Sequence, residues 1–280
     1  MTKEEFWRIS RYIKDRYGIN LENKKEIIQG RLDNYIRTEG YFNYNEYMNA
    51  VEDDITGNLE KELVNILTTN HTFFMREFEH FEFLRKVVLP ELRIREGHSR
   101  DLCVWCGASS TGQEPYMLAM LLKEFFGLEQ NLCDTKILAT DISTEVLSHA
   151  VAGRYTGEQI EVLPDTWKRR FIRPINNGNE YEITDEIKKE VLFRQFNLMD
   201  EFPFKRKMHI VFLRNVMIYF DKETKRKLVE KVYDIMEPGG YLFIGRTEAI
   251  DRNYTDFELV QPSIFRKKEG ERLTCGRYAY

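Results

Sequence analysis

The sequence predicts an α/β protein, with a mainly parallel sheet, a helical module before it and a small antiparallel insert within it. Three observations carry this. Apolar residues recur at spacings of three and four through the first hundred or so positions, the signature of amphipathic helices. From Leu102 onward short apolar runs of strand length alternate with helical stretches, the pattern of strands joined by crossover helices. An Asn176-Asn177-Gly178 turn between short apolar segments interrupts that alternation and signals a hairpin.

In the helical module, Phe6, Ile9, Ile13 and Tyr17 form one stripe that stops at Gly18. Ile27, Ile28, Leu32, Tyr35 and Ile36 form a second that stops near Gly40, and further stripes run from Tyr44 to Val51, Leu59 to Leu67 and Phe78 to Leu92. The first strand is read at Leu102–Cys106, followed by a small-residue loop from Gly107 to Gly112 and a helix from about Glu114 to Phe126. Next come a strand at Lys136–Asp141 and a helix from Ser143 to about Ala150. After the insert, read over about 152–196 and including Val191–Phe196, come strand His209–Arg214, a helix from about Lys222 to Met236 and strand Gly240–Gly245. An insert of this kind has free strand edges, which either take up a partner peptide or only elaborate the packing.

Composition sets the outer limits. With 280 residues, 42% hydrophobic and 31% charged, the chain has the balance of a globular protein rather than a disordered one. A net charge of −4 excludes a wholly basic nucleic-acid coat but leaves local patches open. No apolar run reaches the roughly 18 to 20 residues a membrane span needs, and Thr2-Lys3-Glu4-Glu5 is not a signal-peptide core, so a cytoplasmic location is expected. Four cysteines do not make a disulfide framework. Cys103 and Cys106 form a CxxC without a second pair to complete a zinc site, and they are read as buried strand-end thiols; Cys133 and Cys275 are read as unpaired too.

In a parallel sheet, ligands sit at the carboxyl ends of the strands. Gly107 and Gly112 bracket a loop whose amides lie at a helix N-terminus, but the spacing is neither GxGxxG nor a P-loop with Lys-Ser/Thr. Asp141 ends the second strand, where a carboxylate accepts hydrogen bonds from the two hydroxyls of a ribose; it serves equally well in capping the helix that follows. Glu114, before Pro115, suits a cationic or hydroxylated ligand group or simply the helix dipole. A cofactor with a ribose and an ammonium but no phosphate accounts for both carboxylates, and S-adenosylmethionine has those features. Two polar clusters among aromatics, Thr68–Arg76 and Leu213–Phe220, add to the picture. Arg214 and Asn215 in apolar company need partners, because an unsatisfied buried polar group costs roughly 1 to 3 kcal/mol.

The strings TTNHTFFMREFEHF (68 to 81), VWCGASSTGQEPYMLAMLL (104 to 122), ATDIS (139 to 143), FNLMDEFPF (196 to 204) and FLRNVMIYFDKETKRKLVEKVYDIMEPGGYLFIG (212 to 245) resemble the chemotaxis-receptor glutamate methyltransferases, the CheR-type family, in the family's order and over nearly the whole chain. The resemblance implies an N-terminal helical domain over residues 1–95 and a seven-stranded Rossmann-like methyltransferase sheet over 96–280, with the β-subdomain at about 152–196. It implies cofactor contacts from Asn70, Thr72, Arg76, Glu114, Asp141, Asn197, Leu198, Leu213 and Arg214, and a substrate-facing pair, Arg76 and Tyr219. Met75 stands where Phe or Tyr is usual in the family, Gln113 replaces a frequent Glu, and Ser109 sits where Cys is common.

The implied reaction carries a methyl group from S-adenosylmethionine to a glutamate carboxylate of a chemoreceptor, leaving S-adenosylhomocysteine, with no metal. The implied partners are the cytoplasmic methylation helices of chemoreceptors, and a receptor's C-terminal tether on the β-insert; nucleic acid and membrane insertion are not expected, and the chain is read as a monomer. Residues 8 to 37 carry eight Lys/Arg against four Asp/Glu, a local +4 suited to an acidic helix or merely to solvent. Three other readings compete: a methyltransferase acting on RNA or a small molecule, a non-catalytic receptor-binding scaffold, and a redox protein using Cys103 and Cys106.

Overall fold

The structure, a computed structural model, describes residues 1–96, 101–127 and 134–269. Cys133 and Cys275 lie outside the described residues. Helix α1 (Lys3–Tyr17) opens on a capping box: the Glu5 amide donates to Thr2 Oγ1 at 3.1 Å while the Thr2 amide donates to Glu5 Oε2 at 2.7 Å. It closes on Gly18 at φ 70°, a left-handed conformation that glycine adopts freely. Helices α2 (Lys25–Thr38), α3 (Tyr44–Asp53) and α4 (Asn58–Leu67) follow. Their apolar faces and that of α1 meet in one cluster that includes Ile9, Ile13, Leu32, Tyr47 and Leu63. Each fully buried side chain of this size contributes about 1.5–3 kcal/mol by leaving water. Of the expected second stripe, Ile28, Leu32 and Ile36 are buried, whereas Ile27 faces outward.

Beyond a loop, α5 (Glu79–Phe83), a π-helical turn (Leu84–Val88) and α6 (Leu89–Glu96) run on continuously. Their buried residues Phe81, Leu84, Val88 and Leu92 pack in the cluster of the sheet, not in that of α1–α4. Strand β1 (Val104–Gly107), α7 (Gln113–Phe126), β2 (Ile137–Asp141) and α8 (Thr144–Ala152) begin the α/β part. The insert holds β3 (Arg154–Thr156), α9 (Gly157–Glu161), α10 (Asp165–Phe171), β4 (Ile172–Ile175), β5 (Glu180–Ile183) and α11 (Asp185–Lys188). Its strands form a separate antiparallel sheet in the order β3-β5-β4, with the Asn176–Gly178 turn joining β4 to β5 as the sequence predicts.

The remaining elements are β6 (Val191–Gln195), β7 (Met208–Leu213), α12 (Lys222–Ile235), β8 (Met236–Ile244), β9 (Phe257–Gln261) and β10 (Ile264–Lys267). The main sheet has seven strands in the order β6-β2-β1-β7-β8-β10-β9; the first five run parallel, and β10 is antiparallel to both β8 and β9. Strand β6 departs from the sequence reading, which grouped Val191–Phe196 with the insert. It pairs in parallel with β2, Ile137 opposite Val191 and Asp141 opposite Gln195, and so belongs to the main sheet. The nearby Asn-Gly turn is a local signal, whereas a parallel partner lies far away in sequence and leaves no mark beside the strand.

Candidate active site

Strand β1 lies between β2 and β7, so the chain turns in opposite directions across the sheet at β1 and opens a crevice at the carboxyl ends of these strands. A cavity occupies that crevice. The loops after β1, β2, β6 and β7 form its floor, and residues 68–73 with Tyr17 and Ile19 from the helical module close over it.

The loop after β1 is held tightly by its own amides and hydroxyls. Ala108 and Ser110 take left-handed φ values of 55° and 50°, and Gly112 follows at 94°, where an added Cβ would lie 3.0 Å from Ala150 Cβ. The Ser109 amide donates to Thr140 O at 2.9 Å, and Ser110 Oγ donates to Asn70 O at 2.8 Å. Ser109 lines the cavity, and its Oγ is buried without a hydrogen-bond partner among the described residues.

Asp141 lies on the cavity wall, buried at 6% exposure. Its Oδ2 accepts the Ser110 amide at 2.8 Å and its Oδ1 accepts the Ser143 amide at 3.0 Å. Burial raises its carboxyl above the usual range, against the opposing effect of these backbone donors. The cap of α8 is Ser143, whose Oγ accepts the Val146 amide, so the alternative reading of Asp141 as that cap does not describe the structure.

Arg214, with 2% of its side chain exposed, holds the opposite wall. Nη1 donates to Glu114 Oε2 at 2.5 Å, and Nη2 donates to Glu77 Oε2 at 3.1 Å and to Arg76 O at 2.7 Å. The other Glu114 oxygen accepts the Cys106 thiol at 3.1 Å. Asn215, at φ 59°, donates from Nδ2 to Glu77 Oε1 at 3.3 Å. Nη1 and Nη2 of Arg214 and Nδ2 of Asn215 thus find partners in these apolar surroundings, whereas Arg214 Nε is buried without one among the described residues. Burial raises the Glu77 carboxyl, but Arg214, Asn215 and the Arg246 amide outweigh it and hold the group below its ordinary value. Buried Glu248 accepts the amides of Asn215 at 2.8 Å, Met217 at 2.6 Å and Gly245 at 2.6 Å, anchoring the turn that presents Tyr219.

Met75 and Glu77, at φ 66° and 51°, flank Arg76, so the arginine sits on a backbone held on both sides in a conformation that ordinary side chains disfavour. Arg76 lines the cavity; its Nη1 donates to His71 O at 2.8 Å, and its guanidinium lies 5.7 Å from the centre of the Phe73 ring. Tyr219 lines the same cavity, its hydroxyl 3.4 Å from Thr69 O.

Of the residues singled out from sequence, Asn70, Thr72, Arg76, Glu114, Asp141, Asn197, Leu198, Arg214 and Tyr219 all line this one cavity. Leu213 does not; it is fully buried at the end of β7. Asn197 is also tied to the helical module, donating from Nδ2 to Arg16 O at 2.8 Å. Glu77 and Glu248, which brace Arg214 and the turn before Tyr219, were not among the predicted residues. For Glu77 the available signal was its place beside Arg76 in a polar string; for Glu248, three residues beyond the last strand glycine, the sequence holds none.

Cys103 and Cys106 are free, and burial pushes both thiols up, away from the reactive thiolate that a redox role requires. Among the described residues no cluster of His, Cys, Asp and Glu is arranged to hold a metal ion. The residues present fit S-adenosylmethionine. A buried carboxylate at the second strand end suits ribose hydroxyls, the unpartnered Ser109 hydroxyl offers a polar contact, Phe196 and Leu198 give the wall an apolar face, and the loop from Gly107 to Gly112 carries no cation for a phosphate.

Comparison with known proteins agrees with this geometry. The family model described as CheR methyltransferase, SAM binding domain, matches residues 70–265, and that described as CheR methyltransferase, all-alpha domain, matches residues 4–68. The chain is 38% identical to a chemotaxis protein methyltransferase of Borreliella burgdorferi, over 95% of each chain. It is 34% identical to chemotaxis protein methyltransferase 1 of Pseudomonas aeruginosa, over 94% of this chain and 97% of the relative. With the chemotaxis protein methyltransferase of Escherichia coli it shares 33% identity, over 91% of this chain and 88% of the relative.

Proposed function

The chain belongs to the CheR methyltransferase family, and from that premise we propose that it esterifies glutamate side chains on the cytoplasmic helices of chemoreceptors, using S-adenosylmethionine. The observation that carries this reading is the convergence of Asp141, Glu114, Arg76 and Tyr219 on one cavity at the switch point of the sheet.

Asp141 would hold the ribose hydroxyls, the wall of Phe196 and Leu198 the adenine, and the Asn70–Thr72 segment with Glu114 the amino-acid end. When bound, S-adenosylmethionine supplies an electrophilic methyl group on a sulfonium, and S-adenosylhomocysteine and a glutamate methyl ester are the products. A glutamate with a pKa near 4.3 is already ionised at pH 7, so no residue need act as general base. What the protein must contribute is alignment and partial desolvation, where well-oriented reactants reach effective molarities of about 10⁵ M or more. Arg76 is suited to hold one carboxylate oxygen by a charge-assisted hydrogen bond while the other faces the methyl group. Tyr219 is suited to share that positioning as a neutral donor.

Several features support the remaining assignments. The sequence reading divides the two domains at residues 95 and 96; because buried residues from Phe74 to Leu92 pack with the sheet, the division proposed here lies instead between Leu67 and Asn70. Of the basic stretch, Arg8 pairs with Glu52, Arg16 with Glu60, and Lys14 with Glu22 and Asp221, while Arg11, Lys25 and Arg37 make no ion pair among the described residues. Lys24 makes none either, its Nζ lying 4.8 Å from the centre of the Tyr219 ring, and with those three it is left for an acidic receptor helix. The free edges of the three-stranded insert suit a receptor's tether peptide by strand addition. Among the described residues no helix is long and apolar enough to cross a membrane.

Incubation with methyl-labelled S-adenosylmethionine and receptor-containing membranes tests the proposal. Label that alkali releases from receptor as methanol is the expected result; base-stable label, or label on RNA or a small molecule, would reject it.

A further inference from the structure

We propose that Arg31 is a positioning residue for the cofactor pocket, acting through the segment that closes over it. In sequence Arg31 is one of the cations that make the helical module basic, but in the structure it makes no ion pair among the described residues. Its guanidinium crosses from α2 to the end of α4. There Nη1 donates to Leu67 O at 2.8 Å, Thr68 O at 2.8 Å and Ile66 O at 3.4 Å, and Nη2 donates to Thr69 Oγ1 at 2.9 Å.

The last carbonyls of a helix lack intrahelical partners and form the negative end of its dipole, so a guanidinium there satisfies both needs. At this helix end it also sets a direction. Helix α4 closes without a glycine cap, and Thr68 leaves in an extended conformation, φ −74° and ψ 149°, straight into the cavity wall. The segment so aimed touches both faces of the site: Thr69 O accepts the Tyr219 hydroxyl at 3.4 Å, and Asn70 O accepts Ser110 Oγ at 2.8 Å, one residue from the orphaned Ser109 hydroxyl. Arg31 itself does not line the cavity, so its effect reaches a ligand only through residues 68–72. A lysine cannot reproduce it, because a point charge does not span several carbonyls and a hydroxyl in one plane.

The inference rests on the reading of this cavity as the S-adenosylmethionine site. Its test is calorimetric titration of the full-length chain with S-adenosylhomocysteine in the absence of any acceptor, alongside urea unfolding. Arg31→Ala is expected to bind about tenfold more weakly, with Arg31→Lys between it and the wild type. Lys25→Ala and Arg37→Ala, which remove cations of the same helix, are expected to bind as the wild type does. Arg31→Ala that keeps wild-type affinity and instead raises KM for the receptor would overturn the proposal in favour of docking. A lowered urea midpoint with unchanged affinity would overturn it in favour of a purely structural role. Should Arg31→Ala not fold, wild-type affinity in Arg31→Lys overturns it equally. A wild-type chain that does not bind S-adenosylhomocysteine contradicts the cofactor reading itself, an outcome separate from any of these.

Discussion

Arg214 and Glu114 form an ion pair at 2.5 Å in the cavity wall, with only 2% of the arginine and 15% of the glutamate side chain exposed. The pair joins the end of β7 to the first turn of α7, across the switch point of the sheet. Removing one partner of a buried pair leaves the other charge uncompensated, at a cost of about 3–5 kcal/mol. Because Glu77 remains beside Arg214, Glu114→Ala is expected to lose about 3 kcal/mol, near the lower end, and Glu114→Gln less, since an amide oxygen still accepts from the guanidinium. Urea unfolding measures both. Equal stability of Glu114→Ala and wild type would contradict the role given to the pair.

Asp141→Asn is nearly isosteric but gives up the charge and one of two acceptor oxygens, each of which also receives a loop amide. S-Adenosylhomocysteine binding is expected to weaken at least tenfold, given about 1.5–3 kcal/mol for hydrogen bonds to a charged group. Calorimetry gives the affinity directly, and an unaltered value would remove Asp141 from the ribose site.

Arg76→Lys retains a positive charge but loses the planar fork. Turnover is expected to fall by an order of magnitude or more, roughly the penalty for misaligned reactants, while affinity for S-adenosylhomocysteine changes little. If instead binding collapses and turnover per bound enzyme survives, Arg76 serves the cofactor and not the acceptor.

His80 is buried against Phe243, and burial foremost, with Arg214 nearby, pushes its imidazole down to about 4. Between the ordinary value of 6.5 and about 4 the unfolded chain takes up a proton that the folded chain refuses. Stability therefore falls as pH drops through that window, by about 3 kcal/mol from this one group. Denaturation of His80→Gln over the same range is expected to show a shallower loss; parallel curves for variant and wild type would assign the acid sensitivity to other groups.

Much of the site could be read from the sequence because strand ends have a grammar. A short apolar run followed by Gly107, Asp141 or Arg214 marks the carboxyl end of a strand, and in a parallel sheet those ends converge. The bracing residues were hidden for a physical reason. Glu77 meets Arg214 across 137 positions of sequence and Glu248 meets Asn215 across 33, and nothing local announces either partner. Nor do Met75 and Glu77 advertise their left-handed backbone, since neither is a glycine. In the fold, β6 was misgrouped on the same account: the turn at Asn177-Gly178 is encoded where it occurs, whereas the parallel pairing with β2 depends on the whole sheet. Arg31 shows the converse, a charge that looks like surface until its carbonyl partners are seen.

The central claim, methyl transfer to a receptor glutamate, is tested most directly by mass spectrometry of peptides from chemoreceptors incubated with the enzyme and S-adenosylmethionine. The expected result is one added methyl group on a glutamate side chain of a cytoplasmic helix, lost on mild alkaline treatment and greatly reduced with Arg76→Lys. Methylation confined to another residue type, or unmodified receptor after full exposure to active enzyme, would contradict it.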